Sequence, residues 1–407
     1  MIYNYKLLAN GIRIIHKQVS SPVSHAGVIV NTGTRDEHDD EAGIAHFIEH
    51  VIFKGTHKRN TYQVLSYLEN VGGDINAYTT KEETFFYASI LNEYFPRCVE
   101  LLADIIFNSS FNHKDIETEK EVVKEEIKSY KDTPSELIFD EFENLVFHNH
   151  PLGTNILGTP QSIKKINEKK INSFVNRTYN TDNMVIAVVG NIPFKECVRI
   201  IEKYFADIAL NKRPFQRLAF SQSGVEQKKI KMHTNQTHAV IGQVLPNYDE
   251  RKNLIATLLN NIFGGQGLNS RLNLVVREKK GYVYQIESNY SALSDIGLFT
   301  TYIGADYKNI NRCFELVFKE MKKLRESKLG TLQLHRSHLQ FIGQTCIFYE
   351  SNLTEMLSIG KNHLIFPEVE DIPTIIKKIR TITSSDLLDM ANQILTEETM
   401  SSLIMCK

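Results

Sequence analysis

Residues 43–56 read GIAHFIEHVIFKGT and place His46, Glu49 and His50 within five consecutive positions. The rest of the stretch is small or apolar, which predicts a helix with a buried face. Positions i and i+4 of a helix share a face, and i+3 lies beside both. The two imidazoles and the carboxylate therefore converge. Burying three such groups without a partner is costly, and a bound metal ion removes that cost.

Two imidazoles at this spacing suit zinc, which takes nitrogen ligands in a tetrahedral site. Catalytic zinc sites use three protein ligands and leave the fourth position to water, whose pKa falls to about 7. We therefore predict one Zn²⁺ per chain, held by His46 and His50, with Glu49 as the general base. Taken alone, the motif also fits three polar residues that cap or pair with one another in an ordinary core.

A third ligand is expected on another helix, and the best candidate is KDIETEKEVVKEEIKSY, residues 114–130. Its apolar face includes Ile116, Val123 and Ile127, and Glu119 and Glu126 lie along the edge of that face. The other glutamates of the segment fit a solvated run of charges, with the lysines directed away from the site. The pattern makes both Glu119 and Glu126 candidates and does not choose between them.

Composition and charge limit the class of protein. A chain of 407 residues favours two domains, and 42% hydrophobic with 23% charged residues is typical of a globular protein. A net charge of −1 without a basic block argues against a nucleic-acid partner. Five scattered cysteines indicate free thiols in a reducing compartment. No apolar run suits a signal peptide or a membrane span, so we expect a cytoplasmic protein with no membrane partner.

The second half of the chain resembles the first. A shift of 210 residues aligns GIAHFIEHVIF with NLIATLLNNIF, and a shift of 216 aligns apolar positions of 166–184 with those of 382–400. The polar triplet falls on Ala256, Leu259 and Asn260, so the second half keeps the helix and lacks the metal ligands. We predict a catalytic domain at 1–210, a linker at 211–225 and a second domain at 226–407.

HFIEH is the inverted zinc motif H-x-x-E-H, and the chain resembles the pitrilysin, insulinase and mitochondrial processing peptidase family along essentially its whole length. Further matching segments are NTGTRDE, GGDINAYTTKEETFFYA, ETEKEVVKEEI, HPLGTNILGT, NMVIAVVGN and FGGQGLNSRLNLVVREKKGYVY. The resemblance implies an α+β fold of two tandem homologous domains. Each would be an antiparallel-rich β-sheet with helices packed on one side. The chain looks like the short branch, in which two subunits enclose a chamber.

The resemblance also assigns residues of the first half. The family's third ligand is the last glutamate of an E-x6-E pair about seventy-five residues after the motif. The resemblance therefore implies that Glu126 is the third zinc ligand and that Glu119 holds a ligand in place or balances the charge of the site. Lys120 stands where the family usually has Arg. INAYTTKE would be an edge strand beside the zinc, with Asn76 and Ala77 where a substrate peptide adds as a further strand.

Two more pairs concern the substrate. Arg277 and Tyr284 would be close on one face if their segment is helical; a surface Arg and a packed Tyr are the alternative. The resemblance implies that they close over the zinc and hold the substrate carbonyl. Glu136 and Asp140 are spaced to share a helix face, as an ordinary solvated acidic face would also be. Acids at matching places in mitochondrial processing peptidases bind an arginine near the cleaved bond.

The leading prediction is a zinc metalloendopeptidase that cleaves peptides or unfolded presequence-like segments in a closed chamber, as a homodimer. One alternative is a non-catalytic structural or assembly subunit. Another is a catalytic subunit that is active only with a different, motif-lacking partner. The presence of His46, Glu49, His50 and Glu126 in one chain favours the enzyme.

Overall fold

The computed structural model describes residues 2–221 and 224–407. The strands are β1 Asn4–Leu7, β2 Arg13–Gln18, β3 Val23–Val30, β4 Asp74–Thr79, β5 Thr84–Leu91, β6 Met184–Gly190, β7 Gln227–Lys231, β8 Thr237–Pro246, β9 Val283–Ala292, β10 Ile296–Ala305 and β11 Ser401–Cys406. The helices are α1 Ile44–Val51, α2 Thr61–Glu69, α3 Phe95–Phe107, α4 His113–Lys131, α5 Pro134–Val146, α6 Pro160–Lys164, α7 Glu168–Thr178, α8 Phe194–Phe205, α9 Glu250–Gly264, α10 Ile310–Glu326, α11 Thr331–Phe348, α12 Asn352–Ile365, α13 Ile372–Arg380 and α14 Ser384–Ile394.

The strands form two sheets of matching topology. The first has the order β1-β2-β6-β3-β5-β4 and the second the order β7-β11-β8-β10-β9. Pairing is antiparallel except for β2 with β6 and β7 with β11, which are parallel. Apart from β1, each strand of the first sheet has a counterpart at the same place in the second. The predicted α+β fold with two similar halves is therefore confirmed.

Helix boundaries repeat as well as strands. Helix α14 begins and ends 216 residues after α7, and the preceding residues, Asn167 and Thr383, both accept a hydrogen bond from the first turn. Helix α9 is the counterpart of α1. Its Asn260, at the position of His50, accepts a hydrogen bond from the Ser288 hydroxyl at 2.6 Å. The helix is thus kept with an ordinary structural contact where the first half has an imidazole.

The chain forms two compact units that are discontinuous in sequence. Unit 1 contains residues 1–128, 154–218 and 347–371, and unit 2 contains 129–153, 219–346 and 372–407. This differs from the contiguous domains 1–210 and 226–407 that the sequence predicts. Of the predicted linker 211–225, the described residues form no helix or strand, and Gln222 and Ser223 lie outside the described residues.

Unit 1 includes α12 from the second half of the chain, and unit 2 includes α5 from the first half. The physical reason is that each sheet has two apolar faces, both of which need a cover. In unit 1 the inner face packs on helices of the first half such as α1 and α3. The outer face is covered by α12, whose Met356 and Ile359 pack with Ile29 and Val185. In unit 2, α9, α10 and α14 pack on one face, and α5 covers the other. Helices therefore lie on both sides of each sheet, and not on one side as the family resemblance implies.

Helix α12 is fixed to the first sheet by a buried charge. The Glu355 carboxylate accepts hydrogen bonds from Lys17 Nζ at 2.7 Å and from the Tyr3 hydroxyl at 3.0 Å. Gly360 permits close approach, because a Cβ there would lie 2.4 Å from Ile29 Cδ1. The contact between helix and sheet is therefore specified by polar and steric features together.

The start of α1 is built by two residues that precede the zinc motif. Gly43 has φ of 87°, a left-handed conformation that favours glycine. The Glu37 carboxylate accepts hydrogen bonds from the Gly43 and Ala45 amides, each at 2.9 Å, which satisfies two of the N–H groups at the start of the helix. Burial raises the pKa of Glu37 to about 8, although these bonds lower it.

Two further sequence expectations can be compared with the structure. All five cysteines are free thiols, as predicted, and only Cys346 is exposed. Among the described residues, no helix is both long and apolar enough to cross a bilayer.

Candidate metal centre

Helices α1 and α4 bring three potential ligands together. His46 Nε2 lies 3.7 Å from Glu126 Oε1, and His50 Nε2 lies 3.3 Å from Glu126 Oε2. One ligand atom from each residue falls within 4.8 Å of the other two. Bonds of 2.0–2.1 Å at tetrahedral angles separate the ligand atoms of zinc by about 3.4 Å. These side chains therefore fit one zinc ion with small adjustments.

Glu119, one of the two glutamates the sequence left open, contacts His50 on its other nitrogen. Its Oε2 lies 3.2 Å from His50 Nδ1, and its Oε1 lies 2.5 Å from Lys54 Nζ. A carboxylate at Nδ1 keeps the proton there and leaves the Nε2 lone pair for a metal. Glu126 thus lies beside the Nε2 atoms of both histidines and Glu119 lies on the opposite side of the His50 ring, the placement that the family resemblance leads us to expect.

The charges of the three groups suit a cation. Burial and the neighbouring His50 lower the pKa of His46 to about 4, so its imidazole is neutral. Burial lowers the pKa of His50, but Glu126 and Glu119 raise it more. The hydrogen bond from His50 lowers the pKa of Glu126. Glu126 is therefore a carboxylate facing a proton on His50, and a metal ion that binds there replaces that proton.

Glu49 lies on the same helix and takes no part in this ligand group. Its Oε2 accepts a hydrogen bond from the Thr79 hydroxyl on β4 at 2.7 Å. Burial raises the pKa of Glu49, while the bonds from Thr79 and the charge of His50 lower it. A carboxylate whose affinity for a proton is raised in this way suits general acid–base chemistry near neutral pH.

A pocket of about 290 Å³ opens beside these groups and is lined by Glu49, His50, Asn76, Ala77, Glu119 and apolar neighbours including Phe53 and Leu65. Strand β4 is the last strand of its sheet, so one side of it can pair with a peptide. The Asn76 side chain accepts a hydrogen bond from the Ala77 amide at 2.8 Å. An added strand that uses this amide has to displace the Asn76 side chain.

Arg277 and Tyr284 belong to unit 2 and do not share a helix. Arg277 is exposed in a π-helical turn, Asn273–Glu278, an element often found at functional sites. Gly281, at φ of 61°, turns the chain into β9, where the Tyr284 side chain is exposed. The predicted shared helix face is therefore wrong, because this turn ends the helix between the two residues. Exposure of Tyr284 also excludes the alternative of a packed tyrosine.

Glu136 and Asp140 also belong to unit 2 and lie one turn apart on α5, as predicted. Tyr130 connects them, since its hydroxyl donates to the Glu136 carbonyl oxygen at 3.2 Å and also hydrogen-bonds the Asp140 side chain. The opposite face of α5 is buried through Ile138 and Phe142. Tyr130 therefore engages the Asp140 carboxylate but only the main chain of Glu136, whose side chain is exposed.

The burial of Lys120 and the contact of Thr79 with Glu49 were missed in the sequence analysis. Lys120 is buried, in contrast to the prediction that it is directed away with the other lysines, and its Nζ donates to Glu117 and to the Lys164 carbonyl oxygen. Its place in a position that is usually Arg in the family was the available signal. Thr79 follows Ala77 by two positions in a strand, which puts both on one side, and this spacing could have indicated its contact with Glu49.

Comparisons with known proteins show the family to which the chain is similar. The family model described as Insulinase (Peptidase family M16) matches residues 13–160, and that of the Peptidase M16 inactive domain matches 165–337. A protein of Bacillus subtilis named uncharacterized zinc protease YmxG is 31% identical over 398 residues, covering 97% of this chain and 96% of its own. An uncharacterized zinc protease of Rickettsia bellii is 30% identical over 403 residues, covering 99% and 97%.

Solved structures show the same fold at lower sequence identity. A protease from Helicobacter pylori superimposes with a TM-score of 0.90 at 18% identity, covering 100% of this chain and 99% of its own. A peptidase M16 inactive domain from Pseudomonas fluorescens gives 0.92 at 17%, covering 100% and 98%. The full-length match to the zinc protease of Bacillus subtilis, together with the two family models, identifies the chain as a member of the insulinase family of peptidases, family M16.

Proposed function

We propose that this chain is a zinc metalloendopeptidase. The observation that carries the proposal is the convergence of His46, His50 and Glu126, together with a separate half-buried carboxylate, Glu49, which lines a pocket with His50. Relatives that match the full length are named zinc proteases, which supports the same metal and the same class of reaction. The family model that covers most of the second half is that of an inactive domain, consistent with ligands in the first half only.

His46, His50 and Glu126 would hold the zinc ion. When bound, zinc lowers the pKa of water to about 7 and polarises a peptide carbonyl. Glu49 takes a proton from the attacking water at a carboxylate oxygen and delivers it to the leaving amide nitrogen. The free side of β4 aligns the peptide as an added strand, at Asn76 and Ala77.

Three elements of the proposal rest on the family resemblance, and a fourth, the cytoplasmic location, rests on the sequence composition. Arg277 and Tyr284 of the second domain complete the site by binding the substrate carbonyl, and a hydroxyl hydrogen bond to the developing oxyanion is often worth about 3 kcal/mol. Glu136 and Asp140 bind a basic residue of the substrate near the cleaved bond. Two subunits enclose the chamber in which peptides or unfolded segments are cut, and the protein works in the cytoplasm.

The test uses the purified full chain with a quenched fluorescent peptide and measured zinc content. Glu49→Gln should keep about one zinc per chain and lose turnover by about 100-fold or more, because the ligands stay and proton transfer is lost. His50→Ala and Glu126→Gln should lose zinc. Glu125→Gln is the matched control for Glu126, since that neighbour on the same helix is 71% exposed.

Near wild-type turnover of Glu49→Gln would refute the mechanism. Equal zinc loss in Glu125→Gln and Glu126→Gln would refute the ligand set. A zinc-loaded wild-type chain that cleaves no peptide alone would contradict the proposal in this form and favour an assembly subunit or a requirement for a different partner.

A further inference from the structure

The carboxylate of Glu49 is held by a residue of another element. A glutamate side chain has three rotatable bonds, so helix α1 alone does not determine where its carboxylate lies. The Thr79 hydroxyl donates to Glu49 Oε2 at 2.7 Å across the gap between helix and sheet. Both residues belong to unit 1, so the contact is internal to one compact body.

Thr79 itself is well placed to act as a fixed donor, because the turn after β4 is braced. The Thr80 hydroxyl donates to the Glu83 carboxylate at 2.8 Å, and the Arg35 amide donates to the Lys81 carbonyl oxygen at 2.8 Å. The Arg35 guanidinium also donates to the buried Glu82 carboxylate at 2.7 Å. Both the turn's main chain and its side chains are therefore anchored to the same segment.

A second hydroxyl, that of Tyr179, interacts with the charge of Glu49 but forms no hydrogen bond with it. Tyr179 is buried, and its hydroxyl has no hydrogen-bond partner within the described ranges. Burial, and secondarily the charge of Glu49, raise the pKa of Tyr179. The Thr79 hydroxyl is thus hydrogen-bonded to Glu49, whereas the Tyr179 hydroxyl interacts with Glu49 only through charge.

We propose that Thr79 is a positioning residue for Glu49: its hydroxyl holds one carboxylate oxygen and leaves the other to exchange the proton. This inference rests on the proposed function and assigns Thr79 no contact with the metal. Placement of a general base matters because small errors in its position reduce the rate strongly. The effect belongs to kcat, since substrate binding uses other groups.

Thr79→Val removes the donor at nearly constant volume, and Thr79→Ser keeps it. Thr79→Val should lower kcat by about tenfold or more with KM within about twofold and zinc content unchanged, while Thr79→Ser should return to within about threefold of wild type. Tyr179→Phe is the matched control, because it removes a buried hydroxyl that interacts with the Glu49 charge but makes no hydrogen bond to it. It should change kcat by less than about twofold.

A second measurement needs neither metal nor substrate. In the zinc-free protein, a double-mutant cycle with Thr79→Val and Glu49→Met reports the bond itself through the free energy of unfolding. The coupling should correspond to at least about a threefold change in the unfolding equilibrium constant. Methionine is chosen because glutamine could still accept the hydrogen bond.

The positioning role is overturned by any of three results: Thr79→Val with wild-type kcat, Thr79→Ser as slow as Thr79→Val, or a rise in KM alone, which would assign Thr79 to substrate binding. Absent coupling in the zinc-free cycle also overturns it. If the wild type is active, Glu49→Gln abolishes this activity and Thr79→Val does not change it, then the positioning role of Thr79 is refuted while the proposed function stands. A wild-type protein without zinc-dependent activity contradicts the proposed function instead.

Discussion

Replacing Glu119 by glutamine should weaken zinc binding while leaving the three proposed ligands intact. The Glu119 side chain is 5% exposed and uses both oxygens, one toward His50 Nδ1 at 3.2 Å and one toward Lys54 Nζ at 2.5 Å. Glutamine has a single acceptor oxygen and an NH₂ group that only donates. One of the two donors therefore loses its partner, and the negative charge that supports the His50 imidazole is lost.

The magnitude follows from the role of such partners. Removing the group that orients a metal-bound histidine typically costs about 10- to 100-fold in metal affinity, which is about 1.4–2.8 kcal/mol. The zinc-free protein should be titrated with zinc in competition with a chromophoric chelator, and the dissociation constants of variant and wild type compared. This readout does not require catalytic activity.

Glu121→Gln is the control, because this residue lies on the same helix, is 73% exposed and pairs with Lys124 in an i,i+3 bridge. It should change zinc affinity by less than about twofold, as expected for an exposed pair. The reasoning is refuted if Glu119→Gln binds zinc as tightly as wild type, or if both variants weaken binding equally.

Three further changes test other parts of the molecule. Tyr284→Phe should lower kcat by about tenfold or more at unchanged zinc content, because the oxyanion loses a donor; an unaffected rate would reject this role. Peptides with Arg near the cleaved bond should be cut with higher kcat/KM than those with Ala or Glu there, and a Glu136→Gln, Asp140→Asn double variant should lose the selectivity; equal values across the series would contradict the assignment. Burial lowers the pKa of His16 below 6.5 in the folded state. As pH falls, His16 therefore takes up a proton in the unfolded chain before it does so in the folded protein. The contribution of His16 to the free energy of unfolding is present above pH 6.5 and is lost progressively below it. Between about pH 5 and about pH 7, His16→Gln should flatten the free energy of unfolding measured by urea denaturation; an unchanged slope would show that His16 is not the titrating group.

Local features could be predicted from the sequence because they depend on periodicity. The i, i+3, i+4 spacing of His46, Glu49 and His50 needs only one helix to converge, and the repeat indicates that this helix is kept in the second half. The choice between Glu119 and Glu126 depends on the distance between two helices. Residue pattern alone left that open, and family resemblance supplied the expectation.

Long-range placement could not be predicted in the same way. The amphipathic pattern of α5 or α12 shows that the helix needs an apolar surface, but it does not show which sheet provides that surface. Arg277 and Tyr284 do not share a helix face for a local reason, since the left-handed turn at Gly281 separates them. Lys120 has the same sequence pattern as the other lysines of its helix, and its hydrogen bond to the Lys164 carbonyl oxygen depends on another element that this pattern does not reveal.

The covering of the first sheet by α12 has a consequence for biosynthesis. Asn352 follows Gly190, the last residue of the sheet, by 162 residues. At about 5–20 residues per second of translation, this delay is about 8–30 s. During this delay α12 does not yet cover the outer surface with Ile15, Ile29 and Phe85. The nascent chain therefore exposes an apolar sheet surface to which other chains can bind. We therefore expect chaperones to bind the nascent chain on the ribosome. A fragment that ends at the predicted linker lacks α12 and should aggregate.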